Sequence, residues 1–120
     1  KRAVALELNL SALLAAANVV ASAPAIWTFP VAKEDIALVV KADVAATDVL
    51  NVVREAAGEL LEDIRLFDVY EGSQVAEGHK SLAFALRFRA QDRTLAAEEV
   101  AAARQAGVDA AAKSFGASLR

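Results

Sequence analysis

The sequence has no cysteine and no methionine, and its 120 residues include only 2 prolines, 5 glycines and a single histidine. The lack of cysteine excludes disulfide bonds, thiolate metal ligands and a cysteine nucleophile together. No unbroken apolar run reaches the ~18 residues that a membrane-spanning helix needs. The histidine, His79, stands in a glycine-flanked turn without the pattern of carboxylates and nucleophiles that a catalytic or metal site requires. Because even an initiator methionine is missing, we expect this chain to be a piece of a longer protein.

The composition fits one small folded domain, with 57% hydrophobic and 24% charged residues. The net charge is −3 and the sequence pI is near 5.1, which argues against nucleic acid as a partner for the chain as a whole. Any RNA-binding function must therefore depend on a local basic patch. The absence of cysteine fits a reducing compartment, so a cytoplasmic location is expected.

The first quarter of the chain is predicted to form a strand, a short helix and a connecting segment. Residues 3–10 alternate between apolar and other side chains with period two, as in a half-buried strand. Ser11 can cap a short helix behind it. Residues 18–32 have no clear period and read as a connection, which Trp27 and Phe29 are expected to fix by packing.

The remainder predicts an α+β domain of the ferredoxin-like type, a βαββαβ sandwich. The expected elements are a strand at 35–41, a helix from about Asp43 to Gly58, a strand at 60–70 with a bulge at Leu66–Phe67, a hairpin loop at 71–78, a strand at 81–89, a helix from Thr94 to about Lys113 and a strand at 115–119. In this order of elements, a four-stranded antiparallel sheet carries two helices on one face. We expect residues 1–32 to be the upstream strand, helix and connection, and residues 33–120 to be the domain.

The sheet surface without helices, called the open face below, is the surface with a functional character. Along the strand at 81–89, the even-numbered residues are large and apolar, while the odd-numbered ones are small and then basic, at Arg87 and Arg89. Lys80, Arg93 and Arg65 are expected near the ends of this face. Arginine pairs with phosphate and stacks on bases, and Tyr70 could supply a stacking ring. The same residues could equally form the charged rim of a protein interface.

Two motifs add a more specific signal. Residues 66–70 read Leu-Phe-Asp-Val-Tyr, and residues 77–83 read Glu-Gly-His-Lys-Ser-Leu-Ala. In this order and spacing they resemble motifs of the anticodon-binding domain of the bacterial phenylalanyl-tRNA synthetase β subunit. The similarity continues through Asp-Arg-Thr-Leu at 92–95 and Phe-Gly-Ala-Ser-Leu-Arg at 115–120, and it extends upstream over residues 2–10.

This resemblance implies a ferredoxin-like fold and a role in holding the anticodon stem-loop of phenylalanine tRNA. The charging reaction would take place in an α subunit within an (αβ)2 assembly, and the complete enzyme would use ATP and magnesium. This piece is expected to bind neither cofactor, and no DNA or membrane partner is expected. The residues expected to bind the nucleic acid are Tyr70, Lys80, Ser81, Arg87, Arg89 and Arg93.

The chain departs from the family pattern at several charged positions. The family commonly has arginine where this chain has Glu34 and Glu71, and it often has arginine at the position of Ala85. Arg87 stands where the family usually has a small or uncharged residue. Each lost phosphate contact weakens RNA binding and flattens its salt dependence.

Other functions stay open on the sequence alone. Glu34, Glu71 and the acidic balance favour a ferredoxin-like assembly domain that has lost RNA binding. A small ligand-binding or regulatory domain would depend on analogy of fold alone. An independent enzyme lacks a nucleophile–base pair.

Overall fold

The computed structural model of the protein describes residues 2–17 and 28–120. In chain order, the elements are α1 (Leu10–Ala16), β1 (Ala32–Lys41), α2 (Ala46–Ala57), a short 3₁₀ helix (Gly58–Leu60), β2 (Leu61–Tyr70), β3 (His79–Phe88), α3 (Ala97–Phe115) and β4 (Ser118–Leu119). From β1 onward the main elements follow the predicted order of strand, helix, strand, strand, helix and strand.

The four strands form one antiparallel sheet in the order β2-β3-β1-β4. The central pair, β1 and β3, is in register over ten residues, from Ala32 opposite Phe88 to Lys41 opposite His79. β4 is much shorter and pairs only with Leu38 and Val39. This topology confirms the predicted ferredoxin-like α+β sandwich.

The hydrophobic core lies between one face of the sheet and the two helices α2 and α3. Alternation along β1 and β3 sends every second side chain to this face, as the sequence pattern predicts. The buried apolar side chains are Ile36, Leu38 and Val40 of β1, Val49, Val53 and Ala57 of α2, Leu61 and Ile64 of β2, Leu82, Phe84, Leu86 and Phe88 of β3, and Val100, Val108 and Ala111 of α3, with Ala117 beside them. The opposite face of the sheet carries no buried apolar cluster of this kind among the described residues.

The two long helices approach each other closely at Gly107 of α3. A Cβ atom at this position would lie 2.9 Å from Val53 Cγ1 and 3.3 Å from the Val53 carbonyl oxygen. Real Cβ atoms do not come that close to a stiff β-branched side chain, so glycine permits this helix contact.

β2 carries two irregularities. The register shifts between Leu66 and Asp68, which confirms the bulge predicted at Leu66–Phe67. A second shift between Leu61 and Asp63 was not predicted from the sequence, and it places Glu62 as the extra residue.

The predicted starts of two helices are wrong. α1 is capped by Asn9, whose side chain accepts a hydrogen bond from the Ala12 N–H at 3.0 Å, and not by Ser11. α3 begins at Ala97 instead of directly behind Thr94, because Glu99 reaches back to accept a hydrogen bond from the Ala96 N–H. The expected glycine at the end of α2 is confirmed, since Gly58 has a φ of 73°.

The strand predicted at residues 3–10 is also wrong, because residues 2–9 have no regular secondary structure. A strand needs a partner for its backbone hydrogen bonds, and none pairs with this segment among the described residues. Its apolar stripe is open to solvent, with Val4 at 99% and Leu6 at 81% exposure. The predicted packing of Trp27 falls outside the described residues, while Phe29 is half-buried.

Candidate nucleic-acid interface

The open face is built by side chains that alternate with the core residues of three strands. Paired residues of neighbouring strands point to the same side of a sheet, so the register defines this surface. Its members are Asp63, Arg65, Asp68 and Tyr70 of β2, His79, Ser81, Ala83, Ala85 and Arg87 of β3, and Lys33, Asp35, Ala37, Val39 and Lys41 of β1.

The middle of the open face is a floor of small side chains. Ala83 of β3 pairs with Ala37 of β1, and Ala85 lies beside them, one step further along β3. Because methyl groups leave the backbone almost uncovered, a flat ligand such as a nucleobase can approach the plane of the sheet here. Charged and aromatic side chains border the floor at both ends of the strands.

A contact between Tyr70 and Arg120 crosses one end of the open face. The Arg120 guanidinium carbon lies 5.2 Å from the centroid of the Tyr70 ring, within the range of a cation–π interaction. Arg120 is held there by a backbone hydrogen bond to Ala37 and a side-chain hydrogen bond to Gln74. Tyr70 is in β2 and Arg120 follows β4, so their contact spans the two strands between these edges. The pair, called the Tyr70–Arg120 bridge below, presents a ring and a cation together.

Gly72 also lies close to Tyr70, at the hydroxyl end of the ring. A Cβ atom at Gly72 would lie 2.6 Å from the ring carbon Cζ of Tyr70, so a side chain there would displace the ring. The hairpin loop that joins β2 to β3 therefore also packs against the side chain of Tyr70.

Ser81 lies on the open face opposite Tyr70, as expected, but it is only 3% exposed. It is between β2 and β1, beneath the span of the Tyr70–Arg120 bridge. Ser81 therefore offers almost no surface to a ligand.

Arg87 and Arg89 share one carboxylate, that of Glu62. Glu62 Oε2 lies 3.5 Å from Arg87 Nε, and Glu62 Oε1 lies 3.2 Å from Arg89 Nε. The two arginine side chains differ in exposure, 45% for Arg87 and 14% for Arg89. Arg89 is therefore a half-buried ion-pair residue and offers little surface to RNA, contrary to its expected position beside Arg87. We call these three residues the Glu62 cluster.

Lys80 does not belong to the open face. It pairs with Val40, a core residue, so it lies on the helix side of the sheet. Its Nζ donates a hydrogen bond to the Ala42 carbonyl oxygen at 2.7 Å, which ties the start of β3 to the end of β1. Lys80 was expected near an end of the open face, and its pairing with a core residue shows that it lies on the opposite side of the sheet.

Arg93 is likewise removed from the open face. It lies in the turn between β3 and α3, 3.3 Å from Asp92 Oδ1, and it donates a hydrogen bond to Glu99. That hydrogen bond raises the pKa of Arg93 above its ordinary value. The Ala96 N–H, and after it Arg93, lower the pKa of Glu99 below the usual 4.5. Arg93 thus organises the first turn of α3.

The acidic departures from the family pattern have different consequences in the structure. Glu34 pairs with Leu86, so it lies on the helix side and does not face a ligand on the open face. Glu71 is exposed in the hairpin loop, next to Tyr70. The acidic charges that lie on the open face are instead Asp35, Asp63 and Asp68.

Three functional candidates were missed from the sequence, namely Arg120, Glu62 and Lys33. Lys33 is exposed and lies opposite Arg87, and the alternation of β1 would have placed it on the open face. Arg120 is two residues beyond Ser118, which is paired with Val39 of that face, and the same period-two count would have found it. Glu62 gives no such signal, because its position depends on an unpredicted bulge.

No candidate metal site lies in the described part of the chain. Within residues 2–17 and 28–120, no group of three or more His, Cys, Asp and Glu side chains could hold a metal ion. In the same part, no helix is long and apolar enough to cross a membrane.

Comparisons with known proteins all point to one family. Residues 28–120 match the family model of the ferredoxin-fold anticodon binding domain. The chain is 58% identical over 119 residues to the phenylalanine–tRNA ligase beta subunit of Streptomyces avermitilis, and 56% identical over 119 residues to that of Thermobifida fusca. It is 54% identical over 120 residues to the same subunit of Cutibacterium acnes. Each alignment covers at least 99% of this chain but only 14% of the relative.

Proposed function

Since the chain belongs to the family of ferredoxin-fold anticodon binding domains, we propose that it binds and positions the anticodon stem-loop of phenylalanine tRNA on its open face. The parent protein would be the β subunit of a phenylalanine–tRNA ligase. Residues 33–120 would form the binding domain, and residues 1–32 would be the segment that leads into it.

The observation that carries this proposal is the Tyr70–Arg120 bridge beside the alanine floor. Aromatic rings and arginine guanidinium planes are the groups on which unpaired RNA bases stack. Both groups lie next to the part of the sheet where Ala37 and Ala83 are paired, and these small side chains leave room for a base. A loop of unpaired bases, as in an anticodon, matches such a surface better than a closed duplex does.

Arg87 would contribute at the margin of this site. Arg87, the half-exposed arginine of the Glu62 cluster, would bind a backbone phosphate. Ser81 offers almost no surface to RNA. We assign Lys80, Arg89 and Arg93 to the stability of the domain, because each is engaged within the protein and away from the accessible part of the open face.

The chemistry of charging would lie elsewhere in the parent enzyme. We propose an (αβ)2 assembly in which the α subunit uses ATP and magnesium, while this domain contributes affinity and orientation for the tRNA. Correct positioning at a distance from the reacting end is then its whole contribution to the reaction.

The test is a titration of the chain with the phenylalanine tRNA anticodon stem-loop at about 50 mM and about 200 mM salt. Wild type should bind, and its affinity should fall with salt. Tyr70→Ala should weaken binding between about fivefold and about a hundredfold, the range for one lost base–aromatic stack. Tyr70→Phe is the matched control, because it keeps the ring and should bind like wild type.

A thermal melt of each variant separates loss of binding from loss of fold. If the wild-type chain binds no RNA even at the lower salt concentration, RNA binding by this chain is refuted. If Tyr70→Ala binds as well as wild type, the Tyr70–Arg120 bridge is not the site.

The second candidate is an assembly domain that has lost RNA binding. The mixture of charges at the Arg87 end of the open face favours it, since Glu62, Asp63 and Asp35 offset the basic side chains there. It predicts no RNA affinity at any salt concentration, together with a protein interface that is insensitive to salt.

A further inference from the structure

The Glu62 cluster has an asymmetry that bears on how RNA would be bound. Its carboxylate contacts two guanidinium groups, at 3.2 Å for Arg89 and 3.5 Å for Arg87. The nearer arginine is also the more buried one, with 14% of its side chain exposed against 45% for Arg87. Arg87 is therefore the more loosely held of the two and the one that solvent, or a ligand, can reach.

From this asymmetry, and resting on the proposed function, we propose that Glu62 acts as an electrostatic brake on RNA binding. In the free protein Glu62 partly neutralises Arg87. When RNA binds, a phosphate replaces the carboxylate as the partner of Arg87, while Glu62 stays with the half-buried Arg89. An exposed ion pair is weak enough for phosphate to displace it, and phosphate can accept two parallel hydrogen bonds from one guanidinium.

The brake would act on backbone contacts and not on base recognition. Phosphate contacts carry no sequence information, so Glu62 would lower the affinity for matching and non-matching RNA loops equally. Its effect would weaken as salt rises, because salt screens the charges of exposed side chains. Discrimination between loops would remain with the Tyr70–Arg120 bridge at the other end of the face.

The test compares wild type, Glu62→Gln, Arg87→Gln and the double variant, using two RNA hairpins. One hairpin is the phenylalanine tRNA anticodon stem-loop, and the other has the same stem with an unrelated loop. Glu62→Gln should bind both hairpins more tightly than wild type by the same factor. Between about 50 mM and about 200 mM salt, the affinity of Arg87→Gln should fall about threefold less than that of Glu62→Gln, as expected for one lost phosphate contact.

The double variant shows whether the gain passes through Arg87. If it does, adding Arg87→Gln to Glu62→Gln should abolish the gain, which makes the two substitutions strongly non-additive. Glu55→Gln is the control for net charge. It removes one negative charge from the exposed surface of α2, remote from the open face, and should leave the affinity unchanged.

The proposal is overturned if Glu62→Gln binds no more tightly than wild type, if Glu55→Gln gives the same gain, or if the gain is confined to the anticodon hairpin. Should Glu62→Gln fail to fold, Glu62→Asp keeps the charge but shortens the side chain away from Arg87, and it should give a smaller gain in the same direction. Binding by Glu62→Gln but not by wild type would support the brake while refuting RNA binding by the native chain. Absence of binding in both proteins would overturn the brake as well.

Discussion

Glu99 illustrates how one side chain can set the start of a helix whose capping position holds alanine. The helix α3 begins after Ala96, which has no side-chain acceptor for the free N–H groups of the first turn. Glu99 accepts from the Ala96 N–H at 3.0 Å and also from Arg93. The same two donors lower its pKa in the folded state, because they favour the charged carboxylate.

We expect Glu99→Gln to be less stable than wild type at neutral pH. A carboxyl group whose pKa is depressed by folding contributes stability above its unfolded pKa, near the ordinary 4.5, and loses this contribution as the pH falls through the lower folded value. The difference between the two proteins should therefore shrink as the pH is lowered from 7 to well below 4.5. Urea unfolding at a series of pH values measures it.

Glu98→Gln is the matched control for this experiment, since it removes the same charge from the same helical turn. It should show only the smaller effect of a charge near the helix N-terminus. A pH-independent difference between wild type and Glu99→Gln would show that the ionised carboxylate is not what stabilises the turn.

At the scale of elements, the contact between α2 and α3 depends on one glycine. If nothing packed against this position, replacing Gly107 with alanine would stabilise the folded protein by about 1 kcal/mol, because alanine has the higher helix propensity. Here the new methyl group would meet Val53, which has no exposed surface and cannot turn away. Overpacking of this kind costs about 1–3 kcal/mol, so we expect Gly107→Ala to be destabilised by about 1 kcal/mol overall.

Chemical denaturation of the single and double variants tests this interpretation. Val53→Ala alone should also destabilise, because it leaves a cavity in the core. Combined with Gly107→Ala, however, it removes the clash, so the double variant should be more stable than the sum of the two losses implies. Strict additivity, or a stabilised Gly107→Ala protein, would mean that the helices can separate without cost.

The elements also show which parts of the fold can be predicted from sequence. β1 and β3 were predictable because their alternation matches one buried and one open face, and the bulge at Leu66–Phe67 was visible as a slip in that alternation. The bulge at Glu62 was not predicted, although Leu61 and Ile64 both lie in the core three residues apart and so break the alternation. The first residues of α1 and α3 were mispredicted because Ser11 and Thr94 belong to residue types that commonly cap helices, whereas neither of them caps a helix in this structure.

The positions of the candidate residues in the sheet were predicted only in part, and the alternation of side chains along each strand explains which of them lie on the open face. Tyr70, Ser81 and Arg87 lie on the open face as expected, whereas Lys80 is one residue out of phase and lies on the other side. Arg89 is two residues beyond Arg87, so the alternation places it on the same side of the strand. Its side chain is nevertheless only 14% exposed and pairs with Glu62, and no local sequence pattern predicts this ion pair. The sequence therefore predicts on which face of the sheet a side chain lies, but not which residues it pairs with.

At the scale of the whole molecule, net charge does not describe how charge is distributed over the surface. The chain carries −3 overall, whereas the open face mixes the basic residues Lys33, Arg65, Arg87 and Arg120 with the acidic residues Asp35, Asp63 and Asp68. Several acidic residues lie elsewhere, such as Glu55 of α2, Glu98 of α3 and Glu71 of the hairpin loop. Because charges on exposed side chains are screened beyond ~8–10 Å at ordinary salt, the local surface matters more than the total.

The segment before the domain provides the last prediction at this scale. Every residue of 2–17 is exposed, and α1 has no buried side chain, so this segment contributes little to the stability of the remainder. We expect a fragment of residues 18–120 to unfold within about 0.5 kcal/mol of the full chain, which corresponds to less than about 4 °C in Tm. A fragment that begins at Ile36 is the informative contrast, because it loses the four β1–β3 pairs from Ala32 to Asp35 and should melt at least about 4–8 °C lower. If the first fragment melted as low as the second, residues 1–17 would be part of the folding unit, and the proposed boundary before residue 33 would be wrong.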